Sequence, residues 1–301
     1  TGVCSVDIAL FVIAADDGPM PQTREHLGIL NLLDVGRGVI ALTKTDLVDP
    51  DWVELVTEDI TDLVDGTFLA DAPIVPVSSE TGEGIDALRD LLDTEIAQVE
   101  TRPDRGVFRL PIDRAFTVRG FGTVVTGTVI SGSVTTKDEA VLLPSGKSVR
   151  VRGLQTHGHD VETAHVGARA AVNVTGVEVE DVARGDLLCE PGYFDTTYMI
   201  DVRLFALSDS PVPIKNRSRV HLHLGPRDVL ARVVLLESDE LAPGGSELAQ
   251  LRLEEPGIAA KGDRFVIRRF SPVVTVGGGI VLDADPRTHA RLKADVIASL
   301  K

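Results

Sequence analysis

What narrows the fold most is a change of pattern part-way along the chain. Over residues 1–100, strand-like and helix-like stretches alternate. "DIALFVIAA" (7–15) is continuously apolar, as in a parallel strand covered on both faces. "TREHLGILNLLD" (23–34) sets Leu27, Leu30 and Leu33 at helical spacing. "GVIALT" (38–43) reads as a second buried strand, and residues 52–65 read as a helix with Trp52, Leu55, Val56 and Leu63 in the core. "APIVPVSS" (72–79) is a third strand, followed by the amphipathic helix "EGIDALRDLLDTEIAQVE" (83–100). Such alternation implies a parallel sheet with helices on its faces.

The alternation stops at "TRPDRG" (101–106), a polar Pro- and Gly-containing stretch suited to a linker. From there to about residue 285 the chain offers short strands and Gly turns but no long helix, enough for two barrels or sandwiches. A further boundary falls near "CEPGYFDTT" (189–197), and the tail from Pro286 reads as helical again. With 301 residues, 43% of them hydrophobic, the chain can bury two or three cores.

Charge follows the same division. Residues 1–100 carry 4 Lys+Arg against 21 Asp+Glu, whereas the remainder carries 26 against 25. The first third repels a polyanion, so nucleic-acid contact is expected mainly from the rest. No apolar run reaches the length of a membrane span, and no N-terminal segment has the pattern of a secretion signal. Cys4 and Cys189 match no ligand spacing and read as reduced packing residues of a cytosolic protein.

Ligands of open α/β sheets bind beyond the carboxyl ends of the strands. Two motifs sit there. Thr43-Lys44-Thr45-Asp46 ends the second strand and is close to Asn-Lys-x-Asp, the guanine reader of GTPases. Its Asp would accept hydrogen bonds from the guanine ring N–H and exocyclic amine, selecting guanine over adenine. "SSETGEG" (78–84) ends the third strand and would offer a backbone N–H to the base oxygen. Together, at successive strand ends, they favour a guanine pocket over the simpler reading in which Asp46 caps a turn. Thr43 replaces the usual Asn and keeps only a hydroxyl for local hydrogen bonding.

A phosphate loop needs Gly-x-x-x-x-Gly-Lys-Ser/Thr. The near match "VLLPSGKS" (141–148) has Val141 where the first Gly belongs, and Ser145-Gly146 reads as a hairpin turn. No Asp-x-x-Gly is present either. In the second part, Asp113-Arg114 lies on the first barrel strand, where a surface ion pair is usually worth little. Arg150 and Arg152 share a strand face, as do His221 and His223, but no third histidine has metal-ligand spacing.

These motifs lie in stretches that resemble the selenocysteine-specific elongation factors, a branch of the elongation factor Tu-like translational GTPases. "GVCSVDIALFVIAADDGPMPQTREHL" is similar to the stretch after the Asp-x-Pro-Gly-His loop of such GTPases. "ALTKTDLVD" matches this branch's form of the base motif, in which Thr for Asn is familiar. "FRLPIDRAFTVRGFGTVVTGT" resembles the start of the second domain, and "LAQLRLEEPGIAAKGDRFVIRRFSPVVTVGGGIVLD" the third. The Ile-Asp-Arg-Ala-Phe and Thr-x-Gly-Gly-Gly runs separate this branch from elongation factor Tu.

The resemblance implies the C-terminal part of an α/β parallel-sheet GTP-binding domain (1–102), two all-β barrels (103–193 and 194–285), and the start of a helical linker (286–301). It implies that Thr43, Lys44 and Asp46 read guanine, with Ser78 and Ser79 completing the pocket. Asp113, Arg114 and Arg169 would line a pocket for the selenocysteinyl group. GTP or GDP with Mg²⁺, selenocysteinyl-tRNA and the ribosome follow as partners of an intact cytoplasmic monomer. A messenger-RNA hairpin would be bound by winged-helix domains downstream. The phosphate loop and catalytic His would precede Thr1, so no catalytic residue or metal ligand is expected here. This stretch alone is expected to be inactive and to expose an apolar sheet edge. The rival readings are another elongation factor Tu-like GTPase and a non-enzymatic RNA- or protein-binding module.

Overall fold

The computed structural model describes residues 6–99, 104–289, 291, 292, 297, 298 and 300. Residues up to Val99 form one compact unit and those from Asp104 a second. Cys4 and the start of the expected linker lie outside the described residues.

The first unit is a three-stranded parallel sheet in the order β1 (Ala9–Ala14), β2 (Gly38–Thr43), β3 (Ile74–Pro76). Helix α1 (Pro21–Leu32) follows β1, α2 (Pro50–Val64) follows β2, and α3 (Ile85–Ala97) follows β3. Pairing runs Phe11 to Ile40 and Ile40 to Ile74, which stacks Phe11, Ile13, Ile40 and Leu42 against Leu27, Val56 and Ile60. On the opposite face Val39 and Ala41 of β2 are buried, but Leu10 and Val12 of β1 are 46% and 56% exposed. The expectation of a strand covered on both faces therefore fails for β1, an edge strand, and holds for β2 beside α3.

Helix α2 starts where Asp49 accepts the N–H of Trp52 at 2.9 Å and Pro50 supplies the first helical residue. Its buried stripe is Val56, Ile60 and Val64 at four-residue spacing, with Leu63 half-buried beside it. Trp52 and Leu55, expected in the core, are 45% and 47% exposed. Leu55 lies off that stripe, and Trp52 sits at the helix end, where its indole N–H donates to the carbonyl of Ala15 at 2.8 Å.

In the second unit, barrel one comprises β4 (Arg109–Val118), β5 (Gly122–Thr128), β7 (Glu139–Leu143), β8 (Lys147–Thr156), β11 (Arg169–Thr175) and β12 (Leu187–Cys189). The order β11-β5-β4-β12-β7-β8 is closed by pairing of β8 with β11. Strand β9 (His159–Val161) extends β8, while β6 (Ser133–Thr135) pairs with β10 (Thr163–His165). The near-match phosphate loop is the β7–β8 hairpin, with Leu142 opposite Lys147 and Gly146 in the left-handed region at φ 71°.

Barrel two is a closed ring of β13 (Thr197–Ala206), β18 (Ser246–Gly257), β16 (Arg227–Leu235), β15 (Arg219–Leu224), β19 (Arg264–Arg269) and β20 (Thr275–Asp283). A ribbon of β14 (Ile214–Lys215) and β17 (Glu240–Leu241) accompanies it. The Gly run on β20 is a packing device: a Cβ on Gly279 would lie 2.0 Å from the carbonyl oxygen of Arg203. The chain from Pro286 to His289 is irregular rather than helical. There the Arg287 carbonyl accepts from Gln250, and His289 pairs with buried Asp201 at 2.5 Å, so partners on the barrel take the place of a helical turn.

The two barrels meet through a bidentate Arg109–Asp263 pair at 2.9 and 2.7 Å and an Arg227–Asp186 pair at 3.1 Å. Leu143, Leu187, Cys189 and Ile258 form an apolar cluster. Burial raises the Asp186 carboxyl above its ordinary range despite Arg227, and pushes the Cys189 thiol up to about 12. Cys189 is thus a packing residue in its neutral form, as expected from the sequence.

Candidate functional site

Two hollows each include a site residue that the sequence singled out, Asp46 in the first and Arg169 in the second. The first opens beyond the carboxyl ends of β1 and β2 and is lined by Asp16, Asp46, Leu47, Val48, Asp49 and Trp52. The loop after β2 turns sharply because Lys44 adopts the left-handed conformation, φ 60° and ψ 34°. The Thr45 N–H then donates to the Val77 carbonyl at 3.4 Å, tying this loop to the one after β3. The Thr43 hydroxyl donates to the Ile13 carbonyl at 3.3 Å, the local hydrogen bond expected of a residue standing for Asn.

Lys44 Nζ lies 3.0 and 2.8 Å from the two carboxylate oxygens of Asp16. That hydrogen bond raises the ammonium pKa against a smaller opposing effect of desolvation. Asp16 was missed from sequence, although it follows β1 at its carboxyl end, where the strand-end rule places ligands. Asp46 is exposed, and its carboxylate makes no hydrogen bond among the described residues. Capping of α2 falls to Asp49 instead, so the turn-capping reading of Asp46 is not what the structure shows.

The two serines differ. Ser78 is fully buried; its hydroxyl accepts the N–H groups of Glu80 and Thr81 at 3.2 and 3.1 Å, and its own N–H donates to Glu83. It shapes the turn. Ser79 is exposed, and its N–H makes no hydrogen bond among the described residues. Gly84 closes the loop at φ 73°, where a Cβ would sit 2.1 Å from the Pro76 carbonyl oxygen.

The second hollow, about 280 Å³, lies on barrel one and is lined by Thr126, Gln155, His157, Gly158, Arg169 and Ala170, among others. A shift of register between Ile112 and Arg114 lets β4 bulge at Asp113. One Asp113 oxygen accepts the Thr126 hydroxyl at 2.9 Å and the other takes Arg169 at 2.7 Å. The partner of Asp113 is therefore Arg169, 56 positions away, and not its neighbour Arg114. Arg114 is exposed opposite Thr126, with no ion pair among the described residues. Arg169 is 58% exposed and keeps further N–H donors.

Two other sequence features stay away from both hollows. Arg150 and Arg152 are exposed on one face of β8, and His221 stacks on His223 with ring centroids 6.5 Å apart. Among the described residues no His, Cys, Asp or Glu cluster has the form of a metal site.

Three family models match in succession: "Elongation factor Tu GTP binding domain" over residues 1–98, "Elongation factor Tu domain 2" over 122–189, and "Selenocysteine-specific elongation factor, beta-barrel domain" over 201–288. A selenocysteine-specific elongation factor of Desulfomicrobium baculatum is 45% identical over 98% of this chain. The chain belongs to the selenocysteine-specific elongation factors. Another member, from Escherichia coli strain K12, is 36% identical over 98% of the chain. The chain spans about half the length of these curated relatives, 47% and 46%. Among solved structures, apo translation elongation factor SelB from Methanococcus maripaludis superposes with TM-score 0.86 at 28% identity, covering 94% of this chain and 66% of that one. A bacterial selenocysteine-specific elongation factor, EF-Sec, gives 0.85 at 27%, covering 96% of this chain and 47% of that one.

Proposed function

We propose that the chain forms the guanine-reading end and the two barrels of a GTP-dependent factor. The intact factor delivers selenocysteinyl-tRNA to the ribosome at recoded UGA codons and hydrolyses GTP there. The observation that carries this is the meeting of the two strand-end loops at the first hollow. The Asp46 carboxylate, which lines that hollow, and the Ser79 N–H on the second loop are both free of hydrogen bonds among the described residues. An unengaged anionic acceptor on one loop and an unengaged donor on the loop tied to it fit the N–H edge and the oxygen of a guanine base. Thr43 and Lys44 shape the loop, Asp16 holds Lys44, and Ser78 holds the turn that presents Ser79.

The division we infer is 1–102 for the nucleotide domain, 103–193 and 194–285 for the barrels, and 286–301 leading onward. GTP and GDP are the nucleotides, with Mg²⁺ serving the phosphates through residues outside this chain. Barrel one receives the aminoacyl end. A selenol is more acidic than a thiol or a hydroxyl, so it presents an anion that an Arg fork favours over serine's neutral hydroxyl. Arg169, oriented by Asp113, is that fork, and Arg114 adds charge beside it. The messenger-RNA hairpin, a monomeric state and a cytoplasmic setting complete the reading. Among the described residues no helix is long and apolar enough to cross a membrane.

Asp46→Asn in the intact factor tests the nucleotide assignment. The amide reverses one acceptor into a donor, so affinity for GDP should fall about 100-fold while xanthosine diphosphate gains. Unchanged GDP affinity by titration calorimetry would remove the guanine pocket from this loop.

A further inference from the structure

The barrel-one hollow has a component that neither the base motif nor the ion pair uses. Strand β8 ends at Thr156 and β9 begins at His159, directly opposite, so the turn between them is the two-residue loop His157-Gly158. Both residues have positive φ, 51° and 79°, as a type I′ hairpin requires. Asn-Gly is the favoured pair for this turn; a histidine in its first position is held in a conformation that costs a side chain with a Cβ. On its other side β8 pairs with β11, with Ala170 opposite Thr156. The ladder ends at that pair, and the residues just beyond it, His157 and Arg169, both line the hollow.

Charge gives this placement a consequence. Arg169 already faces the Asp113 carboxylate at 2.7 Å, so an incoming anion feels attraction and repulsion from the same pair. The charged and titratable groups on the elements that meet at the hollow are Arg169 on β11, with Asp113 on β4 as its partner, and His159 and Asp160 on β9, the last held by the Gln155 amide at 2.9 Å. We propose that His157 is a specificity-determining residue of this hollow, offering a second N–H donor beside Arg169 to an anionic aminoacyl side chain. The proposal rests on the reading of the hollow as the aminoacyl pocket. A ring N–H donor strengthens the hold on a selenolate more than on a neutral hydroxyl, because a hydrogen bond to an ionised acceptor is the stronger one.

The test compares selenocysteinyl-tRNA with seryl-tRNA binding to the intact factor, in the GTP form, at pH 7.5. The variants are His157→Asn, His157→Gln and Arg169→Ala. Asn suits the left-handed turn, so His157→Asn keeps the hairpin even where His157→Gln perturbs it. The preference for selenocysteinyl-tRNA should drop roughly threefold to fivefold in His157→Asn, whose shorter side chain withdraws the donor. Seryl-tRNA binding should not move. If wild type and His157→Asn keep equal preferences while Arg169→Ala loses its own, the pocket stands and His157 has no part in it. If Arg169→Ala also keeps the preference, the pocket assignment fails, and the proposal with it.

Discussion

The hollow at the sheet is lined by Asp16 and a run within residues 46–52, whereas that of barrel one draws on residues near 126, 155–158 and 169–171. In the first, the groups proposed to read guanine sit on backbone turns after two parallel strands, so contiguous tetrapeptides hold the information. In the second, antiparallel registers between β4, β5, β11 and β8 bring Asp113 to Arg169 and set Arg169 and His157 on one hollow. Strand-end sites are local in sequence; barrel-wall sites depend on register, and register is a long-range property.

The largest expected effects come from removing the close approaches that hold each hollow in shape. A Cβ on Gly84 would meet the Pro76 carbonyl oxygen at 2.1 Å, and one on Gly127 would meet the Pro111 carbonyl oxygen at 2.2 Å. Each change to Ala should cost about 2–4 kcal/mol in denaturant unfolding. Gly84→Ala should impair guanine binding with barrel one intact, and Gly127→Ala should impair aminoacyl discrimination with guanine binding intact. If each variant damaged both functions equally, the separation of the two hollows would be lost.

That contrast also explains what was legible in the sequence. The parallel sheet, both barrels and the hairpin at Ser145-Gly146 could be read, because apolar runs and turn residues are local signals. Trp52 and Leu55 were misplaced because hydrophobicity does not reveal which apolar positions fall at a helix end or off its buried stripe. Leu10 and Val12 were misplaced for a related reason: an unbroken apolar run does not say which strand lies at the edge. Asp113, Arg114 and Arg169 were reached through family resemblance, not spacing, and the pairing of Asp113 with Arg169 became visible only with the fold. His157 carried one local sign, the His-Gly turn dipeptide, which lay unnoticed among scattered histidines.

A smaller effect concerns where barrel one begins. Asp104 accepts the N–H of Gly106 at 2.9 Å and that of Gly132 at 2.6 Å, and these bonds hold its carboxyl below the usual range. A depressed carboxyl contributes stability above its unfolded pKa and loses it as pH falls through the folded one. Acid unfolding of the second unit should therefore be less steep below about pH 4 in Asp104→Asn than in the parent. Superimposable acid limbs would show that this tether does not count towards stability.

The central claim is that barrel one selects an anionic aminoacyl group through Arg169. Its most direct test is the ratio of dissociation constants for seryl- and selenocysteinyl-tRNA, measured on the intact factor and on Arg169→Ala at pH 7.5. The ratio should collapse towards one in the variant, through weaker binding of selenocysteinyl-tRNA while seryl-tRNA is unchanged. An undiminished ratio would place the selection elsewhere in the molecule.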